Sequence, residues 1–260
     1  MRALHVIGLA ASAAFALALV AAAPVALHRG DPISDNDLFA YLAYPVQPGD
    51  WVRYRVTFAG RSTVIKTIGF GRESVGGRPT LFIETHVRAL PVTGLQSVTT
   101  TGIGTDAVLK TYVDAAAFSD LAHSYRVITS ALKVGSFEYE VTPGAGETYS
   151  CLSGAVYAPA RSGVILAIEP VDMDVGRQTV HATHVTASFP AVALPVGGVA
   201  EGYSLEVWQS PDVPLGTVAI SSAPGRAVRW RMLDYGRGYR TLFVETLDGI
   251  RNASQPAMPH

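Results

Sequence analysis

The residues whose types and spacing come closest to a reactive site are His181 and His184, with Asp172 and Asp174 shortly before them. Imidazoles and carboxylates within one short span are the ligand types of a transition-metal site. The segment reads as a strand, however, and positions three apart on a strand point to opposite sides, so only one imidazole could face a given site. Solvated or core histidines with turn aspartates are therefore expected. Asp31, Asp35, Asn36 and Asp37 offer the close-spaced oxygens of a calcium loop but lack its glycine and terminal glutamate, and they fit a helix start better. Gly102-Ile103-Gly104-Thr105-Asp106-Ala107 matches the dinucleotide fingerprint in letters only. A strand, not a long helix, follows it, which predicts a hairpin turn. No Gly-x-Ser-x-Gly elbow occurs, and Cys151 has no recognisable catalytic partner, so it is expected to be a small buried residue. Catalytic residues, metal ligands and cofactors are accordingly assigned as none. A secreted hydrolase with a loop-built site stays open, with His86, His123, His181 and His184 as its histidine candidates.

The elements around these residues point to export and to β structure. Met1, Arg2 and His5 precede an apolar run from Val6 to Val25. Residues 1–23 read as a signal peptide, or as an uncleaved N-terminal anchor because Pro24 disfavours a cut after Ala23. Either way the rest is delivered beyond the inner membrane, to the periplasm or the exterior. A lone cysteine excludes an intramolecular disulfide, and its mid-chain position without a lipobox gives no support to N-terminal lipid attachment. With a net charge of −1 over 260 residues there is no electrostatic footprint for nucleic acid or anionic lipid. Any membrane contact would come through the N-terminal segment. An apolar share of 48% against 16% charged residues is globular, so burial can supply the stability that disulfides do not.

Residues 24–50 read as a linker with a short helix capped by Ser34 and running through Leu38, Phe39 and Leu42. Residues 51–250 read as a β domain, conceivable as two similar halves, and 251–260 as a disordered tail carrying the sequon Asn252-Ala253-Ser254. From Trp51, the residues Val52, Tyr54, Val56 and Phe58 alternate with Arg53, Arg55 and Thr57, the pattern of a half-buried strand. Turns at Gly60-Arg61 and Val75-Gly76-Gly77-Arg78 lead to strands over 62–70 and 80–90, so the first three form a meander. Further strands are expected over 96–101, 107–113, 125–133, 137–142, 155–158, 164–168, 178–189, 203–209, 217–221, 227–233 and 241–247, with one short helix over 115–122. Val52–Val56 is echoed by Val228–Met232, and Thr80–Thr85 by Thr241–Thr246. Arg53 and Arg55 could face Glu84, and Arg229 and Arg231 could face Glu245, as cross-strand ion pairs.

The segment Leu205–Val218, a strand ending in Trp208, a Pro-containing turn and then Val213-Pro214-Leu215-Gly216, resembles one that recurs in exported envelope proteins of the LolA/LolB lipoprotein-carrier superfamily. Together with the meander from Trp51 to Leu90 the likeness covers about half the chain. It implies a large bent antiparallel sheet, an incomplete β-barrel with a few short helices, holding lipid or acyl chains in its concavity and using no catalytic residue. The chain departs from that pattern in its extra strands between Gln96 and Pro195. The expected ligand-facing wall is Tyr54, Val56, Phe58, Leu81, Ile83, Trp230 and Leu242. The expected function is non-catalytic binding or carrying of a hydrophobic or amphipathic ligand. A structural or partner-binding module of the envelope is the alternative if the same residues form a filled core.

Overall fold

A computed structural model of the protein describes residues 27–34, 38, 46–58, 62–89, 107–113, 125–141, 148–150, 154–155, 161–193, 199–223 and 228–254. The expected strand over 96–101, the helix over 115–122, nearly all of the helix around Leu38, and Cys151 lie outside these residues.

A short β1 (Pro32–Ser34) precedes a meander of β2 (Trp51–Phe58), β3 (Ser62–Val75), β4 (Arg78–Ala89), β5 (Ala107–Val113), β6 (Tyr125–Val134) and β7 (Phe137–Val141). Two small strands follow, β8 (Thr148–Ser150) and β9 (Gly154–Ala155). A second run comprises β10 (Ser162–Val175), β11 (Gln178–Phe189), the small pair β12 (Val192–Ala193) and β13 (Val199–Ala200), then β14 (Tyr203–Gln209), β15 (Thr217–Ala223) and β16 (Val228–Gly236). A terminal helix, α1 (Leu247–Ser254), closes the described chain. The segment 164–168 is thus the core of a much longer strand than its apolar letters suggest.

The two runs join into one 14-stranded sheet in the order β1-β10-β11-β14-β15-β16-β2-β3-β4-β5-β6-β8-β9, with β7 also on β6. It is antiparallel and not closed into a barrel. The seam is β16 against β2, where Trp230 stands opposite Val56 and Arg231 opposite Arg55. The echoed sequences Val52–Val56 and Val228–Met232 are therefore direct neighbours. The sheet bends hard enough that the overhanging β10–β11 hairpin returns to β16. Tyr235 Oη donates to Gln178 Oε1 at 2.6 Å although β14 and β15 lie between their strands.

Alternation sets the two faces. Val52, Tyr54 and Val56 are buried on what is here termed the inner face, while Arg53 and Arg55 on the outer face are exposed. The inner cluster draws on nearly every long strand and is completed by Ile33, Leu38 and Val46 before β2, and by Val213 and Leu215 from the turn after β14. Each fully buried aliphatic or aromatic side chain contributes about 1.5–3 kcal/mol. Leu215 reaches its place in the cluster with φ at 64°, a left-handed conformation that a branched residue rarely takes.

Three expectations are corrected. Thr241–Leu247 is no strand; the N–H groups of Leu242, Val244, Glu245 and Leu247 bond to carboxyl groups rather than to a ladder. The Arg–Glu cross-strand pairs do not form either. β3 separates β2 from β4, Arg53 faces Thr67 and Asp234, Arg229 faces Thr57 and Ser221, and Glu84 is buried away from all of them. Residues 251–254, expected in a disordered tail, belong to α1, and 255–260 lie outside the described residues.

Candidate binding face

Strand register decides which side chains share the inner face, since directly opposed residues stand on the same side of a sheet. One row of paired positions runs from Met232 through Tyr54, Lys66, Val87, Ala107 and Val134 to Phe137. Seven strands take part, and at roughly 4.8 Å between neighbours the row spans about 29 Å.

Its two ends differ in solvent contact. Met232, Tyr54, Lys66, Val87 and Ala107 are buried, whereas Val134 is 45% and Phe137 76% exposed. Beside them Tyr139, opposite Leu132, is 43% exposed. An apolar face thus passes without a break in register from a sealed core into water. An exposed large apolar patch, unlike a scattered surface residue, calls for a physical reason.

Of the expected wall residues, Tyr54, Val56, Leu81, Ile83 and Trp230 sit in the inner cluster. The side chain of Phe58 lies outside the described residues. Leu242 is not on this wall. It belongs to the segment crossing the outer face, where its N–H is bound by Glu84 and its side chain is 43% exposed.

The sealed part of the inner face carries polar groups that the sequence reading passed over. Lys66, 2% exposed, holds Nζ 4.8 Å from the centroid of the Trp230 ring. Trp230 meets Tyr54 edge-on at 5.5 Å, and Tyr54 Oη donates to the Thr217 carbonyl at 2.8 Å. Thr217 pairs with Gln209, which is 1% exposed. Gln209 Nε2 donates to the Leu38 carbonyl at 3.1 Å, while Oε1 is buried without a hydrogen-bond partner. Flipping the amide would set two acceptors against each other at Leu38, so the orientation is fixed by chemistry. Lys66 left a trace in the sequence, because it occupies the apolar phase of Val64, Ile68 and Phe70.

The outer face over β3–β7 is organised differently. A strap from Tyr239 into α1 packs Phe243, Leu247 and Ile250 on Phe82, Val108, Tyr112 and Ala131. Glu84, fully buried, accepts from Tyr239 Oη at 2.7 Å, Thr241 Oγ1 at 2.5 Å and the Leu242 N–H at 2.8 Å. Glu73 takes Lys110, Tyr112 Oη and the Leu247 N–H. Glu138 takes Lys133 and the N–H groups of Val244 and Glu245, and Glu140 takes Arg251 and Thr129. Gly69 makes this possible, since a Cβ there would lie 2.2 Å from the Tyr239 ring. Burial, and then the nearby Glu73 and Glu84 respectively, push the Tyr112 and Tyr239 hydroxyls upward. For Glu138, burial acts to raise the carboxyl, but its hydrogen bonds outweigh that and hold it below the usual range. Glu140 is lowered chiefly by its hydrogen bonds with Arg251. These hydrogen bonds tie the strap to the sheet.

The histidines do not assemble a reactive centre among the described residues. His181 Nδ1 lies 2.6 Å from Asp172 Oδ1, both exposed, and that hydrogen bond raises the imidazole above its ordinary value. His184 instead stacks on Trp208, ring centroids 4.3 Å apart. His86 is half-buried on β4, and His123 lies outside the described residues. No group of three or more His, Cys, Asp or Glu that could hold a metal occurs among the described residues.

No family model matches the chain, and no curated protein matches it. A solved structure from Parabacteroides distasonis ATCC 8503, described as a "putative lipoprotein", aligns over 75% of this chain and 98% of its own. The identity is 10% and the TM-score 0.34, so nothing below rests on it. No helix among the described residues is long and apolar enough to cross a membrane.

Proposed function

We propose that the protein is an exported, non-catalytic binding or carrier protein that holds an apolar or amphipathic ligand on the inner face of its open sheet. Export is inferred from the basic start and apolar run of residues 1–23. One observation carries the ligand reading: the inner row leaves the sealed core at Ala107 and continues, still apolar, through exposed Val134 to Phe137. A chain-like apolar guest lying along that row would remove this surface from water, at about 25 cal/mol per Å² of apolar area.

Two measurements on the purified protein test this. Native mass spectrometry of protein isolated from its own host should reveal a co-purifying lipid, and a fluorescent fatty-acid analogue should bind saturably to delipidated protein. Replacing Phe137 and Tyr139 together by serine should weaken that binding about tenfold or more while leaving the melting temperature close to that of the parent. Absence of any bound lipid together with no saturable binding would overturn the reading. Self-association or capture of an envelope protein through Phe137 without lipid binding would favour the partner-binding alternative.

A further inference from the structure

We infer that Lys110 and Glu73 condense into an intramolecular amide, a covalent staple between β5 and β3 that the folded protein makes for itself. The inference does not depend on the ligand reading. Lys110 is fully buried, and its Nζ contacts Oε2 of Glu73, whose side chain is 10% exposed. Their strands flank β4, and the two residues are 37 positions apart in sequence. Phe82, Phe243 and Tyr112 surround the nitrogen, with ring centroids 4.3, 5.3 and 5.5 Å from Nζ. Gly71 leaves the room that the Phe82 ring fills, since a Cβ there would lie 2.2 Å from it. The pair therefore sits in an aromatic cage rather than at a wet surface.

Two features separate it from an ordinary ion pair. An ammonium carries three N–H donors, yet Glu73 Oε2 is the one hydrogen-bond acceptor that Nζ has among the described residues, the rings offering it faces rather than lone pairs. Glu84, opposite Lys110 in register, is taken up by Tyr239, Thr241 and Leu242. Charges removed from water are costly unless such donors are met, and condensation removes both charges and two of the three donors. The second feature is a division of labour between the carboxyl oxygens. Oε2 faces the amine, while Oε1 accepts from Tyr112 Oη at 2.9 Å and the Leu247 N–H at 2.7 Å. Two fixed donors thus sit on the oxygen that gains negative charge when a nucleophile adds to Cδ.

The step balances without a co-reactant. One ammonium proton passes to Oε2, which leaves a neutral amine in contact with a carboxylic acid held in place for attack. The Nζ lone pair adds to Cδ and charge collects on Oε1. The Cδ–Oε2 bond then breaks, a second proton leaves with Oε2 as water, and the Nζ–Cδ amide remains. Nothing is oxidised or reduced. Leu247 and Phe243 belong to the strap, so the site is complete only once the strap has docked.

Peptide mapping of the denatured wild-type protein tests this. Trypsin spares Arg78-Pro79, so the expected product joins Glu73–Arg88 to Ala89–Arg126, uncut after Lys110 and lighter than their sum by one water, about 18 Da. Fragmentation should place the link on Glu73 and Lys110. Lys110→Arg, which keeps the positive charge, should abolish the loss of water. Tyr112→Phe, which removes one donor to Oε1, should raise the unlinked fraction several-fold. Separate Glu73–Arg88 and Ala89–Lys110 peptides from the wild type would overturn the inference and leave an ion pair, as would a lost water located at other residues. Because the wild-type map alone decides, failure of a variant to fold leaves the test intact.

Discussion

The two faces of the same sheet are held by different physics. On the inner face, Tyr54, Val56, Ile83 and their neighbours cohere through apolar contact, which is non-directional and tolerates swaps that conserve volume. On the outer face, the strap is held by the carboxyl groups of Glu73, Glu84, Glu138 and Glu140, each accepting from at least two donors. Such contacts are directional, and their loss leaves donors, several of them part-buried, without an acceptor. Ile83 and Glu84 are adjacent on β4, point to opposite faces and are both buried, so they compare the two regimes at one point of the backbone.

The largest expected effect separates those neighbours. Glu84→Leu fills the same space but leaves the part-buried Tyr239 and Thr241 hydroxyls and the Leu242 N–H without their acceptor, a loss of about 2–3 kcal/mol, the range for hydrogen bonds to a charged group. Ile83→Val removes one methylene from the inner cluster and should cost about 0.5–1.5 kcal/mol. Urea midpoints measured on both variants decide it. Equal costs would mean that the strap is dispensable and that the contrast between the faces is only descriptive.

A smaller effect, on one face only, is expected in acid. Glu138 and Glu140 are held below their ordinary values, so their contribution is complete above the unfolded carboxyl range and is lost as the pH falls through the depressed folded values. Amide exchange should therefore show Val244 and Glu245 losing protection on acidification before the amides of β2 and β3 do. Simultaneous loss on both faces would show instead that strap and sheet unfold as one unit.

Much of the inner face was legible because period two is a strong signal where one side is dry. The alternation Val52, Tyr54, Val56 names the buried side directly, and the strands over 107–113, 178–189 and 203–209 agree with the structure to the residue. The outer strap was not legible, for a physical reason. Thr241-Leu242-Phe243-Val244-Glu245 has the β-branched, alternating letters of a strand, and only a long-range fact diverts its N–H groups: carboxyls from β4 and β7, more than 100 positions away in sequence, accept them first. The exposed apolar end of the row was equally hidden, since Phe137 and Tyr139 look like any half-buried strand until register shows that β7 continues the inner face. Lys66 was readable in principle as a charge in an apolar phase. Gln209 was not, because its orphaned oxygen is a property of packing.

The smallest expected effect isolates burial from charge. Lys133–Glu138 and His181–Asp172 are both cross-strand cation–carboxyl contacts at 2.6–2.7 Å, but the side chains of the first are 18% and 8% exposed and those of the second 84% and 65%. The hydrogen bond to Asp172, and then its charge, raise His181, so whatever the pair adds is present at low pH and disappears as the pH rises through the raised imidazole value. Water screens that contribution almost entirely. Asp172→Asn should thus lower the His181 titration midpoint followed by NMR without moving the melting temperature, whereas Glu138→Gln, which also disturbs the Val244 and Glu245 N–H groups, should lower it by several degrees. A destabilised Asp172→Asn would show that ion pairing itself, rather than the burial of the Glu138 carboxyl and its several hydrogen bonds, supplies the cohesion assigned to the outer face.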